Sequence, residues 1–538
     1  MKMLQMWKCA NTQYPVSINQ YPMRSKSSWI LDIGCWLLVI CMFAHCASFA
    51  GNAVNPDAIE LAPLPMPAEF KSDMDSPVPF DRDTVVTVDC PDPSAVQWLA
   101  SHFAEWYGAD APKVKGGTCG LALRGGDEAY AVAADASGVK IAARSLAGVR
   151  WAAYSIRQLA IAKRGTFKTE GRILPTLSIS DSPRMAFRCV HLCWFPETRP
   201  AEVERALRLA ALLKFNYAIV EPWGPYMSEK NPWWPWPGSK MTKAEVRRLA
   251  ALGKDLGITL IPILNVYGHA SSSRTISMKH CVLDMNPEYE PLFEPGGWNW
   301  CLTNPETQRV LREIIVEMME DFGNPPFFHL GCDEAQPPTC PECRRVPYGE
   351  LVCRHITDLA AFVKERGARA MIWHDMLLLK SDKRWKWWVA NGTKDTVKLA
   401  DTLPKDVVVC DWQYDKHEKV RDWPTLAHLI GKGFPVVTCP NANVESMGPM
   451  ADFIAENKGF GFMLTTWLEM HGKKWSQMFR YASAAAWGTP VRGKGKFGAT
   501  PQHDVEFSNA LRMIGNDMKV KDYKDTGVMN LQRSADWL

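Results

Sequence analysis

Beyond Arg188, short apolar runs alternate regularly with segments whose apolar residues recur at helical spacing. Apolar runs bounded by turn signals are typical of buried parallel strands. The predicted strands are Val190–Trp194, Tyr217–Glu221, Thr259–Asn265, Phe327–Cys332, Ala370–His374, Val407–Trp412, Pro435–Cys439 and Phe460–Thr466. The predicted helices are Ala201–Lys214, Lys243–Leu256, Pro305–Phe322, Glu350–Arg366, Asp382–Leu403, Val420–Lys432, Met450–Asn457 and Trp475–Trp487. This alternation predicts an α/β fold, a parallel (β/α)8 TIM barrel, over residues 183–490.

A different pattern precedes the barrel. Residues 83–175 mix short strands with two amphipathic segments, which predicts a small α+β domain that closes near Leu174–Pro183. Its predicted elements are strands at Val85–Val88, Leu121–Leu123, Ala129–Ala133 and Val139–Ala143 and helices at Ser94–Tyr107 and Ala147–Ile161. Residues 51–82 are rich in Pro and small residues and read as a linker or an irregular first strand, and residues 491–538 form a basic tail without an assignable motif.

The first 50 residues have the order of a secretory signal. Basic residues at Met23–Lys26 precede an apolar run at Gly34–Ala44, and small residues at Ser48 and Ala50 offer a cleavage site. The long stretch before Met23 makes that residue a candidate for the true start. The apolar run is too short for a stable membrane span, so we expect a secreted or periplasmic protein.

Composition narrows the function class. The chain has 538 residues, with 62 basic and 58 acidic residues and a net charge of +4, which gives no footprint for nucleic acid. It contains 23 Trp, whose flat faces suit stacking on sugar rings as well as ordinary cores. Among 16 Cys, the pair Cys340 and Cys343, with Cys332 and Cys353 nearby, predicts a zinc site, a disulfide knot or free thiols. We expect no cofactor and no catalytic metal.

Carboxylates and tryptophans dominate the ends of the predicted strands, where barrel enzymes keep their chemistry. Lys is absent there, and so is a Gly-rich phosphate cradle. Acid/base groups with aromatic platforms are typical of glycoside hydrolysis, although the adjacent Asp333 and Glu334 alone could also cap a helix. The strand-end residues include Trp194, Glu221, Trp223, Asn265, His269, Asp333, Glu334, Trp373, His374, Asp375, Asp411, Trp412, Tyr414, Trp467 and Glu469.

These motifs carry a family resemblance. His329–Glu334 resembles the His-x-Gly-x-Asp-Glu signature of glycoside hydrolase family 20, the β-N-acetylhexosaminidases. Tyr267–His269 is similar to the family's Pro-Gly-His, and Trp467–Glu469 to its Trp-x-Glu. Leu302–Thr307 resembles the segment before the signature, and residues 84–165 resemble the small domain that accompanies this barrel. The similarity covers residues 60–490.

The resemblance implies a role for each matched residue. Glu334 would be the general acid and then the base, while Asp333 would orient the 2-acetamido group of a glycan substrate whose carbonyl acts as nucleophile. His269 would line the site. Trp373, Trp412 and Trp467 would wall it. The remaining predicted substrate contacts are Asp375, Tyr414, Glu469 and Glu221.

Departures from the family pattern leave alternatives open. The arginine after strand one is replaced by Trp194–Glu197, and the tyrosine and aspartate near strand seven are absent from Asn441–Glu445. Tyr414 and Asn443 are candidates to replace that tyrosine, and Glu221 is the candidate for the lost hydroxyl contact. One alternative is a barrel glycosidase with Glu469 or Glu221 as nucleophile, and another is a carbohydrate-binding relative without catalysis.

Overall fold

The computed structural model describes residues 62–162, 171–196, 198–224, 226–236, 239, 241–271, 282–414, 423–467, 475–488 and 513. The predicted signal segment, Glu469 and the C-terminal tail apart from residue 513 lie outside the described residues. Within the described ranges, no helix is long and apolar enough to cross a membrane.

The first part of the described chain forms a mixed sheet with two helices. The spatial order of its strands is β1-β7-β4-β5-β2-β3, with β6 paired to β7. The elements are β1 (Glu69–Pro79), β2 (Val85–Asp89), α1 (Ala95–Tyr107), β3 (Lys113–Gly116), β4 (Tyr130–Asp135), β5 (Gly138–Ala143), α2 (Leu146–Leu159), β6 (Ile161–Ala162) and β7 (Arg172–Asp181).

Two predictions for this domain change, and a third is narrowed to one of its two alternatives. The segment predicted as a linker or first strand contains β1, which pairs with β7 from Glu69 to Pro79. The predicted closing segment lies largely within β7, an inner strand between β1 and β4. Leu121–Leu123 forms no strand, because the nearby glycines Gly117, Gly120 and Gly125 favour a loop there.

The second part is an eight-stranded parallel barrel in the spatial order β10-β9-β8-β15-β14-β13-β12-β11. The bridge between Ile263 and His329 and the hydrogen bond from Leu264 N to His329 O, at 3.0 Å, join the first and last strands of this order. The strands are β8 (Phe187–Trp194), β9 (Tyr217–Pro222), β10 (Thr259–Pro262), β11 (Phe327–His329), β12 (Arg369–Trp373), β13 (Val408–Gln413), β14 (Val436–Pro440) and β15 (Gly461–Thr465).

The helices of the barrel largely follow the predicted pattern. They are α3 (Pro200–Leu212), α4 (Lys243–Leu256), α5 (Val282–Met285), α6 (Pro305–Asp321), α7 (Tyr348–Lys364), α8 (Leu399–Thr402), α9 (Pro424–Gly431), α10 (Val444–Glu456) and α11 (Trp475–Trp487). The predicted helix Asp382–Leu403 is wrong except at its end. Two 3-10 turns and a close approach of Gly392 to the backbone of Leu378 replace it.

A buried polar network joins the small domain to the barrel. Arg188 on β8 pairs with Glu128 at 2.6 Å, and Lys214 after α3 pairs with Asp181 at 3.3 Å. Tyr130 on β4 donates a hydrogen bond to Asp181 at 2.7 Å. Burial lowers the pKa of Lys214 to about 8, although the Asp181 carboxylate opposes that shift. The network fixes the two domains to each other through paired charges.

Candidate active site

The carboxylate pair that follows β11 lies beside the histidine that follows β10. His269 Nε2 is 3.3 Å from Asp333 Oδ2 and 3.2 Å from Glu334 Oε2. The side chains of Asp333 and His269 are each 7% exposed, whereas that of Glu334 is 41% exposed. Two neighbouring carboxylates therefore share one histidine, and only one of them is open to solvent.

The backbone leaves strand geometry directly after β11. Gly331, Cys332 and Glu334 have φ values of 68°, 73° and 48°. Consecutive side chains on a regular strand point to opposite faces, so neighbours can share a partner only where the strand opens. A Cβ at Gly331 would also collide with Asn265. This left-handed turn explains why β11 ends earlier than the apolar run predicts, and such turns concentrate at functional sites.

Asp375 lies next to the pair and holds the backbone of Glu334. Its Oδ2 accepts hydrogen bonds from Glu334 N at 2.8 Å and from Asn391 Nδ2 at 2.9 Å. Burial, together with the negative charge of Asp333, raises the pKa of Asp375 to about 7. The sequence predicts a substrate contact at Asp375, which stays a prediction; in the structure its side chain is fully buried and holds the backbone of Glu334.

The loop before α6 packs against the turn that carries the carboxylate pair. Trp298 Nε1 donates to Glu334 O at 2.9 Å, and the Trp298 ring centroid lies 4.5 Å from that of His269. Asn299 Nδ2 donates to Gln336 O at 2.6 Å, and Gln336 N donates back to Asn299 Oδ1 at 3.2 Å. Sequence analysis missed Trp298 and Asn391 because both lie in irregular loops. The closely spaced tryptophans of residues 298–300 were the only signal.

Aromatic side chains form one wall of the site. The ring centroids of Trp373 and Trp467 lie 5.6 Å apart, and Trp467 Nε1 donates to Tyr414 Oη at 2.6 Å. Trp412 stacks on Tyr414 at 5.3 Å and on Trp388 at 5.9 Å. Trp388, in a 3-10 turn, is a further member that the sequence did not predict. Four of the five were predicted, and β12, β13 and β15 position them.

Tyr414 also interacts electrostatically with Asp333 of the carboxylate pair. Burial raises the pKa of Tyr414 well above its ordinary value, and the negative charge of Asp333 adds to that shift. Of the two candidates for the missing tyrosine, Tyr414 is therefore the one with a described link to Asp333. Asn443 instead precedes α10, where its carbonyl accepts a hydrogen bond from Ser446 N at 3.1 Å.

Glu221, on β9, lies inside the barrel. Its Oε1 accepts a hydrogen bond from Asn265 Nδ2 at 3.0 Å, and its Oε2 lies 2.8 Å from His191 Nε2. All three residues are buried. The ligand atoms of His191, Cys193 and Glu221 lie within 4.8 Å of one another. Both oxygens of Glu221 have partners, so Glu221 lies in a buried hydrogen-bonded network with His191 and Asn265. Its predicted hydroxyl contact stays a prediction.

An apolar cluster follows the first two barrel strands. The rings of Phe195 and Trp223 lie 4.8 Å apart, and Cys193 and Trp467 pack with them. This surface occupies the part of the barrel mouth where the sequence departs most from the family pattern. The remaining predicted contact, Glu469, lies outside the described residues.

Two family models match the chain. The model for "Glycosyl hydrolase family 20, catalytic domain" matches residues 223–458 within the barrel. The model for "Glycosyl hydrolase family 20, domain 2" matches residues 60–182, which contain the mixed sheet and its helices.

Solved structures share this fold. An exo-β-N-acetylglucosaminidase of Vibrio harveyi is 16% identical with a TM-score of 0.62, over 85% of this chain and 77% of that chain. A β-N-acetylhexosaminidase of Bacteroides fragilis is 17% identical with a TM-score of 0.60, over 81% and 92% of the two chains. An N-acetyl-β-hexosaminidase of Streptomyces plicatus is 17% identical with a TM-score of 0.60, over 87% and 97%. At these identities the similarity shows a common fold. Because the two family models together cover more than half of its length, this chain belongs to glycoside hydrolase family 20 and is a glycosidase.

Proposed function

We propose that this glycosidase removes terminal β-linked N-acetylhexosamine, GlcNAc or GalNAc, from glycans by a retaining, substrate-assisted mechanism. The observation that carries the proposal is the shared contact of Asp333 and Glu334 with His269 Nε2, at 3.3 and 3.2 Å. Solved enzymes of similar fold, named as β-N-acetylglucosaminidase and β-N-acetylhexosaminidase, support the choice of sugar.

The reaction proceeds in two steps on this pair. The carbonyl oxygen of the 2-acetamido group attacks the anomeric carbon as the glycosidic C–O bond breaks, and Glu334 gives its proton to the departing oxygen. Asp333 accepts a hydrogen bond from the acetamido N–H, where positive charge grows as the oxazolinium ring closes. Glu334 then takes a proton from water, which attacks the same carbon and opens the ring. Two inversions retain the configuration.

The different solvent exposure of Glu334 and Asp333 fits their different proposed roles. The Glu334 side chain is 41% exposed, so it can meet a leaving group that departs into solvent. The Asp333 side chain is 7% exposed, which suits a charge that stabilises positive charge in water-poor surroundings. His269 Nε2 lies within 3.3 Å of both carboxylates, where it can stabilise their charge. Trp373 and Trp467 form the apolar surface for the acetamido methyl and the sugar ring.

Aryl β-glycosides with and without a 2-acetamido group test this function. We expect turnover of the 2-acetamido substrates only, and a loss in kcat of about 10²–10⁴-fold in Glu334→Gln. Glu320→Gln, at an exposed carboxylate on α6, is the matched control and should leave kcat unchanged. Equal cleavage of the plain glucoside or galactoside would refute the proposal, and sugar binding without turnover would favour a carbohydrate-binding protein.

The enzyme-nucleophile alternative has less support. Glu221 is buried, and its two oxygens are engaged by Asn265 and His191 at 3.0 and 2.8 Å. A carboxylate held in this way is poorly placed to attack an anomeric carbon. Trapping with a 2-fluoro glycoside decides the case, because a covalent adduct on Glu221 or Glu469 would establish an enzyme nucleophile.

We also propose that the protein is exported through its first 50 residues. The support is the order of basic, apolar and small residues in that segment. Mass spectrometry of the protein secreted by a host cell should find a new N-terminus at Gly51. Retention of residues 24–50 in the exported protein would contradict cleavage there.

A further inference from the structure

Four potential metal ligands lie together where the loop before α6 meets the loop after β11. Glu294 and Cys301 belong to the loop before α6, while Cys340 and Cys343 belong to the loop after β11. One ligand atom from each residue lies within 4.8 Å of all the others. Glu294, Cys301 and Cys343 are buried, and Cys340 is half-buried.

The sulfur separations match tetrahedral zinc. Cys301 Sγ lies 3.8 Å from Cys340 Sγ and 3.7 Å from Cys343 Sγ. Zinc–sulfur bonds are about 2.3 Å long, which places two sulfurs of a tetrahedron roughly 3.8 Å apart. A disulfide would bring them to about 2.05 Å. Each described cysteine is a free thiol.

Glu294 is the candidate for the fourth ligand of a tetrahedral site. Its Oε2 accepts hydrogen bonds from Thr339 N and Cys340 N, each at 2.7 Å. Its Oε1 is buried and makes no regular hydrogen bond within the part of the chain that the structure describes, while the thiols of Cys340 and Cys343 lie within reach of the carboxylate. A buried oxygen without a partner is costly, and a cation would satisfy it. The backbone bonds to Oε2 would hold the carboxylate in orientation, as outer-shell groups of metal sites do.

Hydrogen bonds to sulfur also suit bound thiolates. Cys343 N donates to Cys340 Sγ at 3.3 Å, and the Thr303 hydroxyl lies 3.2 Å from Cys343 Sγ. The Cys-x-x-Cys spacing is that of structural zinc sites. Donors at this position would offset the negative charge that three thiolates bring into a buried site.

We propose that Glu294, Cys301, Cys340 and Cys343 bind one structural Zn²⁺. Four protein ligands leave no open coordination position, which is the pattern of structural and not catalytic zinc. The metal would tie the loop that carries Trp298 to the loop that begins with the catalytic pair. This inference does not depend on the proposed substrate.

The two cysteines that the sequence placed near this motif lie elsewhere. Cys332 lies within the turn after β11, where its sulfur lies 3.4 Å from Leu330 O. Cys353, on α7, lies 3.2 Å from the Thr402 hydroxyl. Sequence proximity suggested them, but the chain folds Cys301 and Glu294 onto the motif instead. Cys353 therefore provides a matched control thiol outside the cluster.

Metal analysis of the full-length protein tests the site. After exhaustive dialysis, we expect about one zinc per chain in the wild type and in Cys353→Ser. In competition with a chromophoric chelator, Cys301→Ser and Glu294→Gln should bind zinc about tenfold or more weakly. Co²⁺ in place of zinc should give a sulfur-to-metal charge-transfer band and the intense d–d bands of tetrahedral coordination.

Several results would overturn the proposal. One is a wild-type protein without zinc and without the tetrahedral Co²⁺ spectrum. Another is two cluster cysteines that resist alkylation until reduced, which would establish a disulfide. Unchanged zinc affinity in folded Cys301→Ser and Glu294→Gln would also exclude these ligands. If Cys301→Ser fails to fold, the wild-type Co²⁺ spectrum and the near-isosteric Glu294→Gln decide.

Discussion

At the residue scale, the proposed role of Glu334 predicts that its substitution slows substrates with poor leaving groups more than substrates with good ones. Glu334→Gln cannot protonate a leaving group, so natural glycans with poor leaving groups should lose about 10²–10⁴-fold in kcat/KM. Aryl glycosides with acidic phenols should lose much less in the glycosylation step, because such leaving groups depart without a proton. Pre-steady-state rates on both substrate types measure the difference. Equal losses would indicate that Glu334 is not the acid.

Asp333→Asn should instead affect both types of substrate equally. The Asp333 charge acts on the acetamido group and not on the leaving group, so its loss should slow both substrate types by similar factors. This variant is the comparison that separates the two carboxylates. Their different exposure, 7% for the Asp333 side chain and 41% for that of Glu334, is the structural basis for it.

The raised pKa of Asp375 should make the free energy of unfolding depend on pH. Burial, with the charge of Asp333, raises its pKa to about 7 in the folded state, against about 3.9 in an unfolded chain. Between these values the folded state holds a proton that the unfolded state has lost, so the contribution of Asp375 to the free energy of unfolding falls as pH rises.

Asp375→Asn should remove that dependence, because an amide does not ionise. As pH rises from about 5 to about 8, the melting temperature of the wild type should therefore fall by several degrees relative to that of the variant. Thermal unfolding of both proteins across this range is the measurement. A constant difference between the two melting temperatures would contradict the raised pKa.

At the element scale, the turn after β11 should tolerate no side chain at Gly331. Gly331 has φ of 68°, and a Cβ there would collide with Asn265. Gly323, at the end of α6, has φ of 78° and open space around it. Gly323→Ala should therefore cost only the backbone strain, about 1–2 kcal/mol.

Gly331→Ala should cost about 1–3 kcal/mol more, because the collision adds overpacking to the strain. It should also displace the catalytic pair and lower kcat. Denaturant unfolding and steady-state assays of both variants provide the comparison. Equal destabilisation by the two substitutions would show that the Asn265 contact is unimportant.

The buried pair between the domains should matter far more than an exposed one. Both side chains of Asp181 and Lys214 are 0% exposed, whereas those of Arg124 and Glu69 are 76% and 61% exposed. Asp181→Asn leaves a buried lysine charge without its carboxylate and should cost about 3–5 kcal/mol. Glu69→Gln should cost less than about 1 kcal/mol. Similar free energies of unfolding for the two variants would contradict this account.

The barrel was predictable because buried parallel strands leave continuous apolar runs. All eight strands lie at the predicted places, with shifted ends. Irregular loops leave no such signal, so Trp298 and Asn391 escaped prediction, although Trp298 donates to Glu334 O and Asn391 donates to the Asp375 carboxylate. The helix predicted over residues 382–403 is wrong for a related reason. The aromatic residues of this segment pack at the barrel mouth, as Trp388 does on Trp412, so their spacing does not mark one face of a helix.

At the scale of the whole molecule, the barrel mouth combines a retained catalytic pair with an altered surround. Phe195 and Trp223 form an apolar surface after the first two strands, where the family resemblance leads us to expect an arginine. We therefore expect sugar binding on that side to depend on stacking more than on ion-assisted hydrogen bonds. The neighbouring aromatic wall, with Trp373 and Trp467, is the surface that the proposed function assigns to the acetamido group.

In the proposed mechanism, the nucleophile is the acetamido oxygen of the substrate itself. The most direct test is the kcat/KM of aryl β-glycosides whose 2-acetamido group carries zero, one, two or three fluorine atoms. Fluorine withdraws electrons from the carbonyl oxygen, so kcat/KM should fall stepwise across the series. Rates that do not change with fluorination would contradict the account and would favour an enzyme nucleophile.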